Sequence, residues 1–366
     1  MNCKHIYEGG TQSMNGTKKL AIGLAIMTAV TFAGGCGGGS GNGGGSSQTQ
    51  TQNQANVKKA EAGKVKFTAE ELKGFEAKST TTFYSNGITA FKGDIICGNA
   101  MEKNTAAYKV SIGKVELDKK LFKDGIYVTQ RKNEIAKNPA VGEDGRLYFL
   151  ADELLSTADG KNVIRTGARG PAAVAENTPK DKAYLFWENG RFDEGKIENG
   201  KITNVHESFL NGYTNGGKKL GRNPMEQIYQ VVCEKGKEKL KIFAVGKLKD
   251  KIGDAQYMLR AFDEDGKVLQ QYGSTEEKSP AFIKKPQQFV LTSKYVIVYG
   301  NRNLFVFEKD KGKFIGKADE VELIGRGNTI EYITKLNENT LIVLYRTENK
   351  EGDNYTFKFA QIKFRG

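Results

Sequence analysis

Between residues 65 and 366 apolar and polar side chains alternate with a period of two in one short run after another. The runs are TTFYSNGITAF, GRLYFLAD, KAYLFWENGRF, QIYQVVCEK, KLKIFAVG, YMLRAFDEDGKVLQQY, KYVIVYGNRNLFVFEKDKGKFIG and TLIVLYRTEN. They are rich in aromatic and β-branched residues, which suit a pleated, half-buried surface, so each is predicted to be a strand or a set of strands. Among them stand Asn86-Gly87, Asp124-Gly125, Asp144-Gly145, Asp159-Gly160, Asn189-Gly190, Asn199-Gly200, Lys235-Gly236 and Asp265-Gly266. Asn-Gly and Asp-Gly pairs accept the positive φ that tight hairpins need. Helical periodicity is nearly absent. Its one start signal, Thr68-Ala-Glu-Glu71 before Leu72, is a capping-box pattern that predicts a short helix. The whole pattern predicts a predominantly antiparallel β body.

Composition supports a folded core, with 38% hydrophobic and 10% aromatic residues in 366. The net charge is +13. Residues 1–35 hold only Lys4, Lys18, Lys19, His5 and Glu8 as titratable side chains besides Cys3 and Tyr7, so most of the excess belongs to the remainder. A basic balance favours anionic surfaces. The lysines are nevertheless spread along every segment with acids between them, as on an ordinary solvated face, and no nucleic-acid partner is expected.

From Leu20 to Ala33 the chain reads LAIGLAIMTAVTFA, apolar and uncharged, behind Lys18 and Lys19. Such a run is shorter than the roughly 20 residues that a membrane-spanning helix takes, and it reads as a cleavable signal peptide over residues 1–35, with Met14 as an alternative start. It ends in Ala33-Gly34-Gly35-Cys36. This resembles the lipobox of bacterial lipoproteins, in which small residues precede a cysteine that is acylated after cleavage. Ala33 stands where such proteins usually carry Leu. The resemblance implies a lipid on Cys36, with fatty chains such as palmitate, and an anchor in a membrane of the cell envelope. Gly37 in place of Asp leans towards an outer membrane or cell surface. Residues 36–64 then form a Gly/Ser and Gln/Asn/Thr tract, a flexible leash with a root-mean-square span of about 30 Å.

Two segments of the remainder, LRAFDEDGKVLQQYG and LFVFEKDKGKFIGKA, match in pattern, with Phe262 and Phe307 in corresponding places. The offset falls in the ~40–50-residue repeat of β-propeller blades. The hairpin is similar to the outer hairpin of bacterial β-propellers of the quinoprotein and seven-bladed surface-protein types. That resemblance implies a six- or seven-bladed β-propeller over residues 65–366; stacked β-sandwiches are the alternative.

Candidate chemistry is sparse. His206 is the one histidine after residue 35, which leaves no His cluster for a metal, and no GxSxG or HExxH surrounds it. Gly212-Tyr-Thr-Asn-Gly-Gly217-Lys218-Lys219 nearly spells a P-loop, but Lys219 occupies the place of the Ser or Thr that ligates magnesium. Tyr213, Lys218, Lys219 and Arg222 read instead as a loop able to hold an anionic or glycan ligand, and Arg165 and Arg169 as a second such loop. A plain solvated loop explains both as well. Asp263-Glu-Asp265-Gly266 begins like a calcium loop but lacks its downstream glutamate, and a hairpin accounts for it. Trp187, Phe186 and Tyr184 read as strand packing. Cys97 and Cys233 can form a disulfide or remain buried thiols. No cofactor and no metal are expected. The expectation is an envelope lipoprotein that binds or scaffolds a protein or glycan; the rival is an envelope carbohydrate-active enzyme, a lyase or hydrolase.

Overall fold

The computed structural model describes residues 58–78, 85–99, 108–111, 117–118, 137–151, 154–157, 163–165, 171–187, 192–199, 201–206, 225–236, 239–248, 257–348 and 355–366. Cys36, the signal stretch and most of the leash lie outside them. The first strands are β1 (Lys58–Ala62) and β2 (Val65–Lys78). A four-stranded sheet follows from β3 (Ser85–Phe91), β4 (Asp94–Asn99), β5 (Tyr108–Ser111) and β6 (Leu117–Asp118). Next come β7 (Lys137–Val141), β8 (Leu147–Ala151), β9 (Leu154–Thr157) and β10 (Val163–Arg165), then β11 (Pro171–Val174), β12 (Lys182–Trp187), β13 (Phe192–Glu198) and β14 (Lys201–His206). Each of these two groups is antiparallel, and the parallel pair Arg165 and Lys201 joins them into one eight-stranded sheet.

Two further four-stranded sheets are β15 (Met225–Lys235), β16 (Leu240–Leu248), β17 (Tyr257–Asp263) and β18 (Val268–Tyr272), and β19 (Pro286–Leu291), β20 (Tyr295–Gly300), β21 (Asn303–Glu308) and β22 (Phe314–Asp319). After the short helix α1 (Glu320–Ile324), the strands β23 (Asn328–Asn337), β24 (Thr340–Glu348) and β25 (Tyr355–Arg365) take β2 and β1 as their outer neighbours, in the order β1-β2-β25-β24-β23. The described chain is thus nearly all antiparallel β, as the alternation predicts.

Two expectations are corrected at the start. Thr68–Leu72 is not helical: it lies within β2, which pairs residue by residue with β25 from Lys66 opposite Arg365 onwards. Val65, Phe67 and Ala69 are buried while Lys66 is exposed, so the period-two pattern and the partner strand override a local cap signal. Lys58–Ala62, read as leash, already belongs to the sheet, with Ala62 buried.

The hairpin signals fare unevenly. Asp144-Gly145, Asn199, Lys235-Gly236 and Asp265-Gly266 fall between paired strands, while Gly200, Asp124-Gly125, Asp159-Gly160 and Asn189-Gly190 lie outside the described residues. Asn86-Gly87 does not turn the chain; it sits inside β3 at a register shift between Ser85 and Ile88. Conversely the long run from Tyr295 divides at Asn301-Arg302, where both residues hold a positive φ (47° and 59°) without glycine.

The matched hairpins are equivalent. Phe262 and Phe307 are buried, each beside a register shift, and Asp263 and Glu308 each donate a backbone N–H across the turn, to the carbonyls of Lys267 and Lys313. Asp263 Oδ1 accepts from the N–H groups of Asp265 and Lys267, so its carboxylate shapes the turn.

Successive sheets pack face to face. Tyr148, Val174 and Leu185 join β8, β11 and β12; Tyr184, Phe192, Ile228 and Ile242 join the eight-stranded sheet to β15–β18; Phe243, Leu259, Phe289 and Phe305 join β15–β18 to β19–β22. Val290, Ile297, Leu341 and Ile362 join β19–β22 to the last sheet, and Ile95, Cys97, Leu344 and Phe359 join the last sheet to β3–β6. Burying each such side chain contributes roughly 1.5–3 kcal/mol. Cys97 and Cys233 lie in different clusters and carry thiols, so the disulfide reading is corrected: each fills a separate apolar interface.

The first strands of the sheets are neighbours: β3 lies against β7, β7 against β11, β15 against β19, β19 against β23, and β23 against β3. Just after β11, Glu176 bridges to Val232 on β15. Each of these strands has a register shift near its start: Ser85/Ile88, Lys137/Ala140, Pro171/Ala173, Ile228/Gln230, Pro286/Gln288 and Ile330/Tyr332. A bulge re-aims the side chain it inserts. The shift recurs on six neighbouring strands, and four of the inserted residues come together.

Candidate functional site

Four of the inserted residues border a cavity. Gly87, Pro139, Tyr229 and Gln287 are the inserted residues of four bulges, and they line its mouth, a space of about 210 Å³ with Val174, Gln288 and Tyr332. Small residues occupy one side and long polar or aromatic ones the other. Gly246 shows why the Tyr229 bulge is possible: a Cβ there would stand 1.9 Å from the carbonyl oxygen of Gln227. Only glycine permits that approach of β15 to β16.

Beyond the mouth lies a second, larger space of about 600 Å³. Ile88, Glu176, Gln230 and Ile333 border both spaces and form the neck between them. In the larger one, Lys309 pairs with Glu234 at 2.5 Å and Lys335 with Glu338 at 2.8 Å. Burial works against the Glu338 carboxylate, but Lys335 and the Ser293 N–H outweigh it and hold the carboxyl at about 2.

The polar groups of the neck hold the sheets to one another. Gln230 reaches from β15 to β19, its Nε2 donating to the Phe289 carbonyl (3.1 Å) while its Oε1 accepts from the Phe289 N–H (2.7 Å). Gln288 does the same from β19 to β23, donating to the Glu331 carbonyl (2.5 Å) and accepting from the Ile333 N–H (2.8 Å). One carboxamide satisfies a donor and an acceptor of an extended strand, which is why Gln suits the place. Glu176 occupies the corresponding seam on the other side. Its oxygens accept from the Thr89 hydroxyl on β3 (3.2 Å) and the Val141 N–H on β7 (3.3 Å), and its backbone pairs with Val231 and Cys233 on β15. Burial pushes its carboxyl up to about 7; the Val141 and Thr89 bonds and the charge of Lys335 oppose that without reversing it.

From the mouth a groove of about 510 Å³ runs past Tyr257 and Tyr332 to Arg346. The Tyr229 and Tyr257 rings stack with centroids 6.2 Å apart at 27°. Tyr229 is 40% exposed and its hydroxyl donates to Gln227 Oε1 at 2.8 Å. Arg346 pairs with Glu331 at 2.8 Å and lies over the Tyr355 ring.

Of the residues the sequence singles out, Tyr213, Lys218, Lys219, Arg222 and Arg169 lie outside the described residues. Arg165 is the last residue of β10, paired with Leu154 and Lys201, so the reading of Arg165 as a loop residue is corrected. His206 ends β14 opposite Glu194. Tyr184 is core, stacked on Phe192 at 5.7 Å. Glu176, Gln230, Gln288 and Tyr229 carry no sequence signal. Strict alternation groups Tyr229 with Val231, whereas the bulge places Ile228 and Val231 in one cluster and turns Tyr229 outward.

No family model and no curated protein matches the chain. Among solved structures, hydrazine synthase of Kuenenia stuttgartiensis is similar, with a TM-score of 0.41 and 12% identity over 73% of this chain and 78% of that one. At 12% identity nothing of that enzyme's chemistry carries to these residues.

Proposed function

We propose that this chain is a lipid-anchored envelope protein folded as a six-bladed β-propeller, and that the mouth of its central cavity binds a protein or glycan. Taken as blades, the groups are β3–β6, β7–β10, β11–β14, β15–β18, β19–β22 and a last one that β2 completes beside β25. The circuit of first strands that returns from β23 to β3 supports six blades over seven or over stacked sandwiches. The observation that carries the binding reading is the set of bulge residues at the mouth. Deeper polar groups are spent on joining sheets or pairing with one another, while Tyr229 and Gln287 are turned into the open mouth. The lipobox-like Ala33–Cys36 and the leash behind it support anchoring outside the cytoplasm.

The test has two arms. Cys36→Ala is expected to release the protein from membranes, and unchanged membrane retention overturns the anchor. A photo-cross-linking residue at Gln287 is expected to capture an envelope protein or glycan in living cells while the same residue at Leu269 captures nothing; equal labelling from both sites, or none, overturns the mouth as the binding surface.

One observation favours the rival reading of a carbohydrate lyase or hydrolase: a cavity-wall carboxyl, Glu176, held near 7, in the range of a general acid–base. Turnover of an envelope glycan that Glu176→Gln abolishes would establish it.

A further inference from the structure

We infer that the groove from Tyr257 across Tyr229 to Tyr332 binds a neutral saccharide chain, with one sugar ring stacked on Tyr229. The inference rests on the reading of the mouth as a binding surface and narrows it to one chemistry and one side.

Three features select that chemistry. The first is the aromatic platform. Tyr229 has an exposed ring, yet it is fixed in place: Tyr257 stacks beside it and Gln227 holds its hydroxyl. A ring held by two neighbours loses little entropy when a ligand covers it, and its electron-rich face suits the C–H face of a sugar better than an anionic group. The second is the polar lining. The Gln287 carboxamide and the Glu331–Arg346 pair set donors and acceptors side by side along the groove. A sugar hydroxyl both donates and accepts, so adjacent hydroxyls match such a lining, whereas a phosphate or carboxylate only accepts. The third is charge. Arg346 is neutralised by Glu331, which leaves Lys285 as the one unbalanced charge among the described residues of the groove wall. An anionic polymer would find a single cation there, and a basic peptide no anion. The groove's volume of about 510 Å³ lies in the range of small-ligand sites and continues into the mouth, so a chain longer than one sugar has somewhere to go.

The bulges explain why this site is one-sided. Gly87 and Pro139 occupy the mouth opposite Tyr229 and Gln287 and offer no aromatic face and no side-chain donor. A ligand is therefore expected to lie across β15, β19 and β23 and not over the axis.

The test is calorimetric titration of the detergent-solubilised full chain with chitohexaose, cellohexaose, maltohexaose and mannohexaose. At least one is expected to bind with a dissociation constant below about 1 mM. Tyr229→Ala should weaken that binding at least about tenfold, and Tyr257→Ala, which removes the ring behind it, by a smaller factor. Tyr229→Phe keeps the ring and should stay within about threefold of the parent, which separates loss of stacking from loss of fold; Leu269→Ala, at the other exposed large apolar side chain, should change nothing. If none of the four binds at about 10 mM, or if Tyr229→Ala binds like the parent, the saccharide assignment is wrong. Should that happen while the Gln287 cross-linker still captures an envelope protein, the mouth remains a binding surface and only its ligand class changes; failure of both removes both readings.

Discussion

Two carboxyls, the buried Glu320 and the half-buried Glu176, sit at two seams between sheets and are met by different partners. At the seam between β19–β22 and the last sheet, the fully buried Glu320 accepts from the Tyr299 hydroxyl (2.5 Å), the Ile330 N–H (2.9 Å) and Arg302 Nε (2.7 Å). The guanidinium supplies the opposite charge, and Arg302 itself is held in a two-residue turn of positive φ that aims it there. At the other seam Glu176 has a hydroxyl and one N–H within bonding distance, and Lys335 acts on it only through its field. Desolvation then dominates and its carboxyl rises to about 7. The lesson is that a carboxyl with a guanidinium beside it fastens a seam by an ion pair as well as by hydrogen bonds, whereas one without leaves a fastening that depends on pH. Gln230 and Gln288 join neighbouring strands with no charge to meet.

That contrast can be broken at several points. The largest effect is expected at Glu320: Glu320→Ala leaves the Tyr299 hydroxyl and the Ile330 N–H without their partner, removes the pairing of the half-exposed Arg302 and opens a cavity, and chemical unfolding should show a loss of about 3–5 kcal/mol. Gln288→Leu leaves the Ile333 N–H and the Glu331 carbonyl without their partner, at about 1–3 kcal/mol for each buried group, so a loss of about 2–4 kcal/mol is expected, independent of pH.

Glu176→Gln should act in the opposite direction and only in one pH range. The folded pKa lies above the ordinary value of 4.5, so the unfolded chain gives up its proton first. The contribution of Glu176 is fully present below pH 4.5 and is lost as the pH rises through about 7. The loss is roughly 3 kcal/mol at most, from about 1.4 kcal/mol for each pKa unit. Glu176→Gln should therefore equal the parent near pH 4 and exceed it at pH 8, measured by unfolding at both values. Glu338 runs the other way: its depressed carboxyl supports the fold above pH 4.5, and that support is lost as the pH falls towards 2. The smallest effect is expected at the exposed Leu269, where Leu269→Ser should stay within about 0.5 kcal/mol.

Much of the fold was legible from residues 225 to 348. There the apolar alternation is strong, and the repeat of Phe262 and Phe307 falls on equivalent hairpins. Less was legible where turn and cap chemistry ran against tertiary pairing: Asn86-Gly87 lies in a bulge, and Thr68–Leu72 is held in β2 by its distant partner β25. The site was not legible, for a physical reason. It is made by bulges, and a bulge shifts the phase of the alternation by a residue without leaving a compositional mark, so Tyr229 reads as an ordinary strand residue. Glu176 follows the apolar stretch of β11 in a segment that no motif marks, and its role depends on Thr89 and Val141, which lie far away in the sequence.

The central claim is that first strands from neighbouring sheets enclose one cavity, with Glu176 in its wall. The titration of that one carboxyl tests it most directly. With glutamate labelled at the side-chain carboxyl carbon, the resonance that disappears in Glu176→Gln should titrate with a midpoint of about 7. A midpoint near the ordinary 4.5 would mean that the carboxyl is solvated as in an unfolded chain, and that β3, β7 and β15 do not close around Glu176 in this way.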